Sequence, residues 1–156
     1  FLSAYPNLLV SRTFSKAYGL AALRVGYSLS AAVVADVLNR VRQPFNVNSL
    51  ALAAACAAFK DIEYLAQSRR LNEAGMQQLQ DGFSALGLSW IPSKGNFIAL
   101  DVGQEAAPVY QGLLQEGVIV RPVANYGMPN HLRITVGLPA ENARLLEALS
   151  RVLARG

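Results

Sequence analysis

Hydrophobic and polar positions divide the chain into two textures that meet at Gly87. Before it, two short apolar runs predict strands: Asn7 to Phe14 (NLLVSRTF), read as buried, and Leu23 to Leu29 (LRVGYSL). Small and polar residues fill the segment between them. A helix is predicted over Ala31 to Val41, capped by Ser30 and ended by Pro44, since proline disfavours helical geometry in the residue before it. Ser49 to Lys60 predicts a second helix, rich enough in alanine to pack closely on its neighbours. The third runs from about Ile62 to Leu86, with Leu65, Leu71, Leu79, Phe83 and Leu86 near helical spacing and Gly87 as its stop.

Beyond Gly87, Leu88 to Ile91 and Asn96 to Val102 predict strands across the turn signal Pro92-Ser93-Lys94-Gly95. A helix is expected from Glu105 to Glu116, closed by Gly117, then strands over Val118 to Arg121 (VIVR) and Leu132 to Val136 (LRITV). Pro139 suits the first position of a last helix running through Glu141, Leu145, Leu149 and Val152, because the N–H it lacks has no helical partner there. The second half is thus a compact α+β unit. The first half holds two strands with no sheet to complete them, and two strands alone are marginal. They read as the end of a larger sheet domain, and the chain as the C-terminal part of a longer protein.

Composition narrows the function classes. Of 156 residues, 53% are hydrophobic and 15% charged, with a mean hydropathy of +0.26, which excludes a disordered tail. The longest apolar run, Leu50 to Phe59, has ten residues, half of the roughly 20 that a membrane helix needs. One cysteine (Cys56) and one histidine (His131) exclude a disulfide framework and a zinc site of Cys and His; no metal site is expected. Nothing at the start resembles a signal peptide, so a cytoplasmic location is expected. The net charge is +4, but the bases are scattered, and a nucleic-acid face needs them clustered. Eleven of the fourteen are arginines, leaving Lys16, Lys60 and Lys94 as the only lysines.

Lys16 has the most informative surroundings, in SRTFSKAYGLAALRVGY (Ser11 to Tyr27). It follows a predicted strand, with Thr13 three positions before it, Ser15 one before and Arg24 eight after. The ordinary alternative is a lysine on a solvated turn. A lysine amine held in a site, however, is a nucleophile, and two hydroxyls with a guanidinium are what a phosphate dianion attracts. Amine and phosphate site together suggest pyridoxal phosphate. A nucleotide-binding P-loop is excluded, since no glycine precedes Gly19 and Ala17 follows the lysine. Arg121 ends a predicted strand and Arg133 sits inside one. On residue chemistry alone each could bind an anion or form a structural ion pair.

This segment resembles the lysine segment of fold-type-I pyridoxal-phosphate aminotransferases, in particular the histidinol-phosphate aminotransferase family. The resemblance continues through RQPFNVNSLA (Arg42 to Ala51), PSKGNF (Pro92 to Phe97), GVIVRP (Gly117 to Pro122) and LRITVG (Leu132 to Gly137), essentially the whole chain. It implies that Lys16 is the Schiff-base lysine and afterwards the general acid/base. It also implies that Thr13, Ser15 and Arg24 hold the phosphate of pyridoxal 5'-phosphate, that Arg133 binds the substrate carboxylate or phosphate, and that Arg121 helps grip the phosphate of histidinol phosphate. The implied fold is α/β: the end of a large cofactor domain (1–30), connecting helices (31–86) and a small α+β C-terminal domain (87–156). Its implied reaction is amino transfer between L-histidinol phosphate and 2-oxoglutarate, in a homodimer acting on small amino and oxo acids. An aromatic aminotransferase or a threonine-phosphate decarboxylase on the same scaffold is the alternative. A catalytically silent truncated domain serving as a structural or oligomerisation module is another.

Ala22 replaces the family's usual glycine, and Gly95 stands where alanine is common. The family's pyridine-nitrogen aspartate lies upstream of the matched segment, and no acidic residue precedes Asp36. The isolated chain is therefore expected to have little or no transaminase activity. Cys56 is expected to be a small buried core residue, His131 to have no catalytic part, Tyr18 and Tyr126 to line the site or pack as loop surface, and Asn46 and Asn48 to form a turn and helix cap.

Overall fold

The computed structural model describes residues 1–155 and divides into two compact units, Phe1–Arg69 and Arg70–Gly156. In the first, β1 (Leu9–Thr13) and β2 (Gly26–Ser30) form an antiparallel ribbon with Leu9 opposite Ser30 and Thr13 opposite Gly26. Helices α1 (Ala32–Val41) and α2 (Ser49–Lys60) follow, and α3 (Ile62–Ala85) begins here. The core of this unit is small: Phe14, Val25, Ala51 and Ala55, with Tyr18, Leu20, Leu23, Val47 and Ala58 against it.

Three expectations for this unit are corrected. The first strand is exposed along most of its length, because a ribbon with one neighbour on one edge and no layer over it buries little. Ser30 does not cap α1: Ala31 occupies the cap position without a side-chain hydrogen bond, and the Ser30 hydroxyl faces the Ala31 carbonyl oxygen at 3.3 Å. Cys56 is exposed. Ala51 and Ala55, one turn apart, define the buried stripe of α2, and the next residue is rotated by about 100° out of it. Asn48 does cap α2, its Oδ1 accepting the Ala51 N–H at 2.8 Å.

The second unit is a four-stranded antiparallel sheet in the order β3 (Ser89–Ile91), β4 (Phe97–Asp101), β6 (His131–Thr135), β5 (Arg121–Pro122). Helices α4 (Ala106–Gln115) and α5 (Pro139–Leu153) belong to it, together with the C-terminal part of α3. Because β4 and β5 both run antiparallel to β6, they are parallel to each other, and β4–α4–β5 is a split βαβ crossover with β6 inserted. Strand alternation decides the two faces. Ile98, Leu100, Leu132 and Ile134 are buried with Met76, Leu79 and Phe83 of α3, Val109 and Leu113 of α4, and Leu145 and Leu149 of α5. The intervening Phe97, Ala99, Asp101, His131, Arg133 and Thr135 form the other face, outside this core cluster.

Pro139 opens α5 as expected, and the Glu141 carboxylate accepts the Leu138 N–H at 2.7 Å. The predicted strand over Val118 to Arg121 shrinks to Arg121–Pro122. Its pairing to β6 is fixed by a partner ten residues downstream, which local apolarity does not reveal.

Candidate active site

The β1–β2 register gathers the residues around Lys16. Thr13 faces Gly26, and the Phe14 N–H donates to the Val25 carbonyl at 3.2 Å, extending the pairing by one step. Thr13, Ser15 and Arg24 thus all lie at the end of the ribbon from which the Lys16 loop leaves. Thr13 Oγ1 accepts the Ser15 backbone N–H at 3.0 Å, which tightens the turn leading to Lys16. Arg24 is left-handed (φ 51°), an uncommon conformation for a side-chain-bearing residue. One of its guanidinium nitrogens donates to the Ala21 carbonyl at 2.8 Å. Gly26 is required by close approach, since a Cβ there would stand 2.6 Å from the Arg12 carbonyl oxygen.

Lys16 is exposed on a loop that closes on itself: Gly19 N–H donates to the Lys16 carbonyl and Leu20 N–H to that of Phe14, both at 2.9 Å. Thr13, Ser15 and Arg24 carry the hydroxyls and the cation that the phosphate of a cofactor would need. Ala22 lies in a short 3₁₀ turn (Ala21–Leu23) and is exposed, so within this unit its methyl crowds nothing.

The other two arginines stand in the second unit. Arg121 on β5 and Arg133 on β6 are direct cross-strand partners, so both side chains leave the same face of the sheet. Like charges placed this way repel, and neither has a carboxylate partner among the described residues, so the ion-pair alternative finds no support. Such a pair gains from a shared anion. The Arg133 guanidinium carbon lies 4.4 Å from the centroid of the Phe97 ring, a cation–π distance that fixes where the guanidinium points. Sequence reasoning quoted Phe97 within PSKGNF but gave it no role. The available signal was the alternation of β4, which puts Phe97 on the face outside the core cluster with Arg133.

His131 shares that face, opposite Asp101, and its buried Nδ1 has no hydrogen-bond partner. Arg133 leans instead toward the Phe97 end. Tyr18 packs against Phe14, whereas Tyr126 is exposed. Among the described residues no group of His, Cys, Asp and Glu could hold a metal ion, and no helix is long and apolar enough to cross a membrane.

The chain belongs to the aminotransferase class I and II family, which it matches over residues 1–149. It is 85% identical over all 156 residues to histidinol-phosphate aminotransferase 2 of Pseudomonas fluorescens and spans 42% of that protein's length. Its fold is similar to the crystal structure of histidinol-phosphate aminotransferase from Sinorhizobium meliloti in complex with pyridoxal-5'-phosphate (TM-score 0.84, 33% identity, 96% of this chain and 42% of that one). L-threonine-O-3-phosphate decarboxylase from Porphyromonas gingivalis shares it too (TM-score 0.83, 25% identity, 98% of this chain and 49% of that one).

Proposed function

We propose that the chain supplies the lysine-bearing part of a histidinol-phosphate aminotransferase, with pyridoxal 5'-phosphate as cofactor. The observation that carries this reading is the placement of Thr13, Ser15 and Arg24 at the end of the β1–β2 ribbon from which the Lys16 loop leaves. The 85% identity to the P. fluorescens relative supports the choice of substrate. Residues 1–30 are assigned to the end of a large cofactor domain, 31–86 to connecting helices and 87–156 to a small C-terminal domain. The complete enzyme is taken to be a cytoplasmic homodimer.

Thr13 and Ser15 would hold the cofactor phosphate by hydrogen bonds, and Arg24 would neutralise it. Bound pyridoxal phosphate supplies an electron sink for the charge that develops at the substrate Cα. Lys16 Nζ would hold the cofactor, and as a free amine it would carry the proton at that carbon. Arg121 and Arg133 bind the substrate's phosphate or carboxylate, with Arg133 held in place by Phe97.

The test joins this chain to the preceding part of the P. fluorescens relative and compares it with the chain alone. The joined protein is expected to transfer the amino group of histidinol phosphate to 2-oxoglutarate, and the isolated chain to show little or no turnover. Preference of the joined protein for an aromatic amino acid, or decarboxylation of threonine phosphate, would contradict the reading.

A further inference from the structure

Four aromatic rings converge beneath the Lys16 loop. Phe14 and Tyr18, two residues before and two after Lys16, bring their ring centroids to 4.9 Å. Phe59 near the end of α2 stands edge-on to Phe14 at 4.9 Å and 85°, and to Tyr18 at 5.8 Å and 68°. Tyr27 of β2 completes the group, 5.8 Å from Phe14 and 5.5 Å from Phe59. These are the edge-to-face and tilted arrangements that the ring quadrupole favours. Phe59 is the only member from outside the ribbon and its loop, and it touches the other three.

From this we infer that Phe59 is a positioning residue for Lys16. Contact between the rings at −2 and +2 pinches the loop between them, and Phe59 clamps that contact from the helix. With both ends held, the hydrogen bonds from Gly19 N–H to the Lys16 carbonyl and from Leu20 N–H to the Phe14 carbonyl stay closed, and the direction in which Nζ leaves the backbone is narrowed. A leucine at position 59 would fill much of the volume but offer no ring edge. A tyrosine would keep it. The inference draws on the reading of Lys16 as the cofactor lysine for one of its two readouts.

The experiment compares the wild-type chain with Phe59→Leu, Phe59→Tyr and Ala57→Gly. The last weakens α2 at an exposed helical position without touching a ring. Amide hydrogen exchange at Gly19 and Leu20 reads the loop directly. Borohydride fixation of added pyridoxal phosphate, mapped by mass spectrometry, reads the share of label on Lys16 against Lys60 and Lys94. Expected is at least tenfold faster exchange of both amides in Phe59→Leu, with the Lys16 share falling to the level of the other lysines. Both readouts should stay near wild type in Phe59→Tyr and Ala57→Gly. Unchanged exchange in Phe59→Leu, or equal acceleration in Ala57→Gly, would overturn the inference. Wild-type protein with no preference for Lys16 would instead count against the cofactor reading, and the exchange result would still decide whether Phe59 holds the loop.

Discussion

Asn142 shows how much a single side chain can fix. It is buried, its Oδ1 accepts the Gly137 N–H at 2.9 Å, and its Nδ2 donates to Gln78 Oε1 at 3.1 Å and to the carbonyls of Gly137 and Gly75 at 3.2 and 3.4 Å. One amide thus joins α5, α3 and the turn after β6. Asn142→Ala leaves buried backbone groups unpaired and is expected to cost about 2–3 kcal/mol in urea denaturation. The Arg121–Arg133 pair makes the opposite kind of prediction, about binding. Inorganic phosphate should shift the Nε–H resonances of both arginines together, and Arg133→Gln should weaken the effect at Arg121 about tenfold. Independent titration of the two would contradict a shared anion. At this scale the sequence singled out Arg121 and Arg133 from their place in predicted strands and from the resemblance. It did not reveal Phe59 or Asn142, whose roles come from partners across the fold: Asn142 lies 67 residues from Gly75.

Most elements with local signals were legible, the Ser30 cap of α1 being the exception. Helix α2 begins and ends where its asparagine cap and apolar run indicate, and α5 starts at its proline. The strand before Arg121 and the burial of β1 were misread, since both depend on which neighbour a strand meets, and Cys56 because an alanine-rich helix hides its buried stripe. The junction of α4 and α5 carries a pH prediction. Glu116 accepts from Arg151 at 2.9 and 3.2 Å and from Arg155 at 2.9 Å. The Arg151 hydrogen bond foremost, helped by Arg155, holds its carboxyl below the ordinary 4.5. A carboxylate depressed on folding stabilises fully above its unfolded value and loses that contribution as pH falls through the folded one. As pH falls below the ordinary 4.5, Glu116→Gln should therefore show a shallower acid loss of stability than wild type; parallel curves would sink this assignment. In the same unit, Leu79→Ala removes a fully buried side chain and should cost about 2–5 kcal/mol.

The molecule as a whole is uneven. Among the described residues the second unit's core cluster holds fifteen buried hydrophobic residues and the first unit's holds four. Native-state hydrogen exchange should accordingly protect β4 and β6 far more than β1 and β2, and equal protection would contradict that difference. The chain spans 42% of its P. fluorescens relative, and it carries Lys16 at the end of a ribbon that also bears Thr13, Ser15 and Arg24. Whether that lysine is the cofactor's is the central claim. The most direct measurement is the absorbance spectrum after adding pyridoxal phosphate, followed by borohydride reduction and mass mapping of the modified lysine. The account expects a band of lysine-bound cofactor with the label on Lys16 in preference to Lys60 and Lys94. Label spread evenly over the three lysines would contradict it.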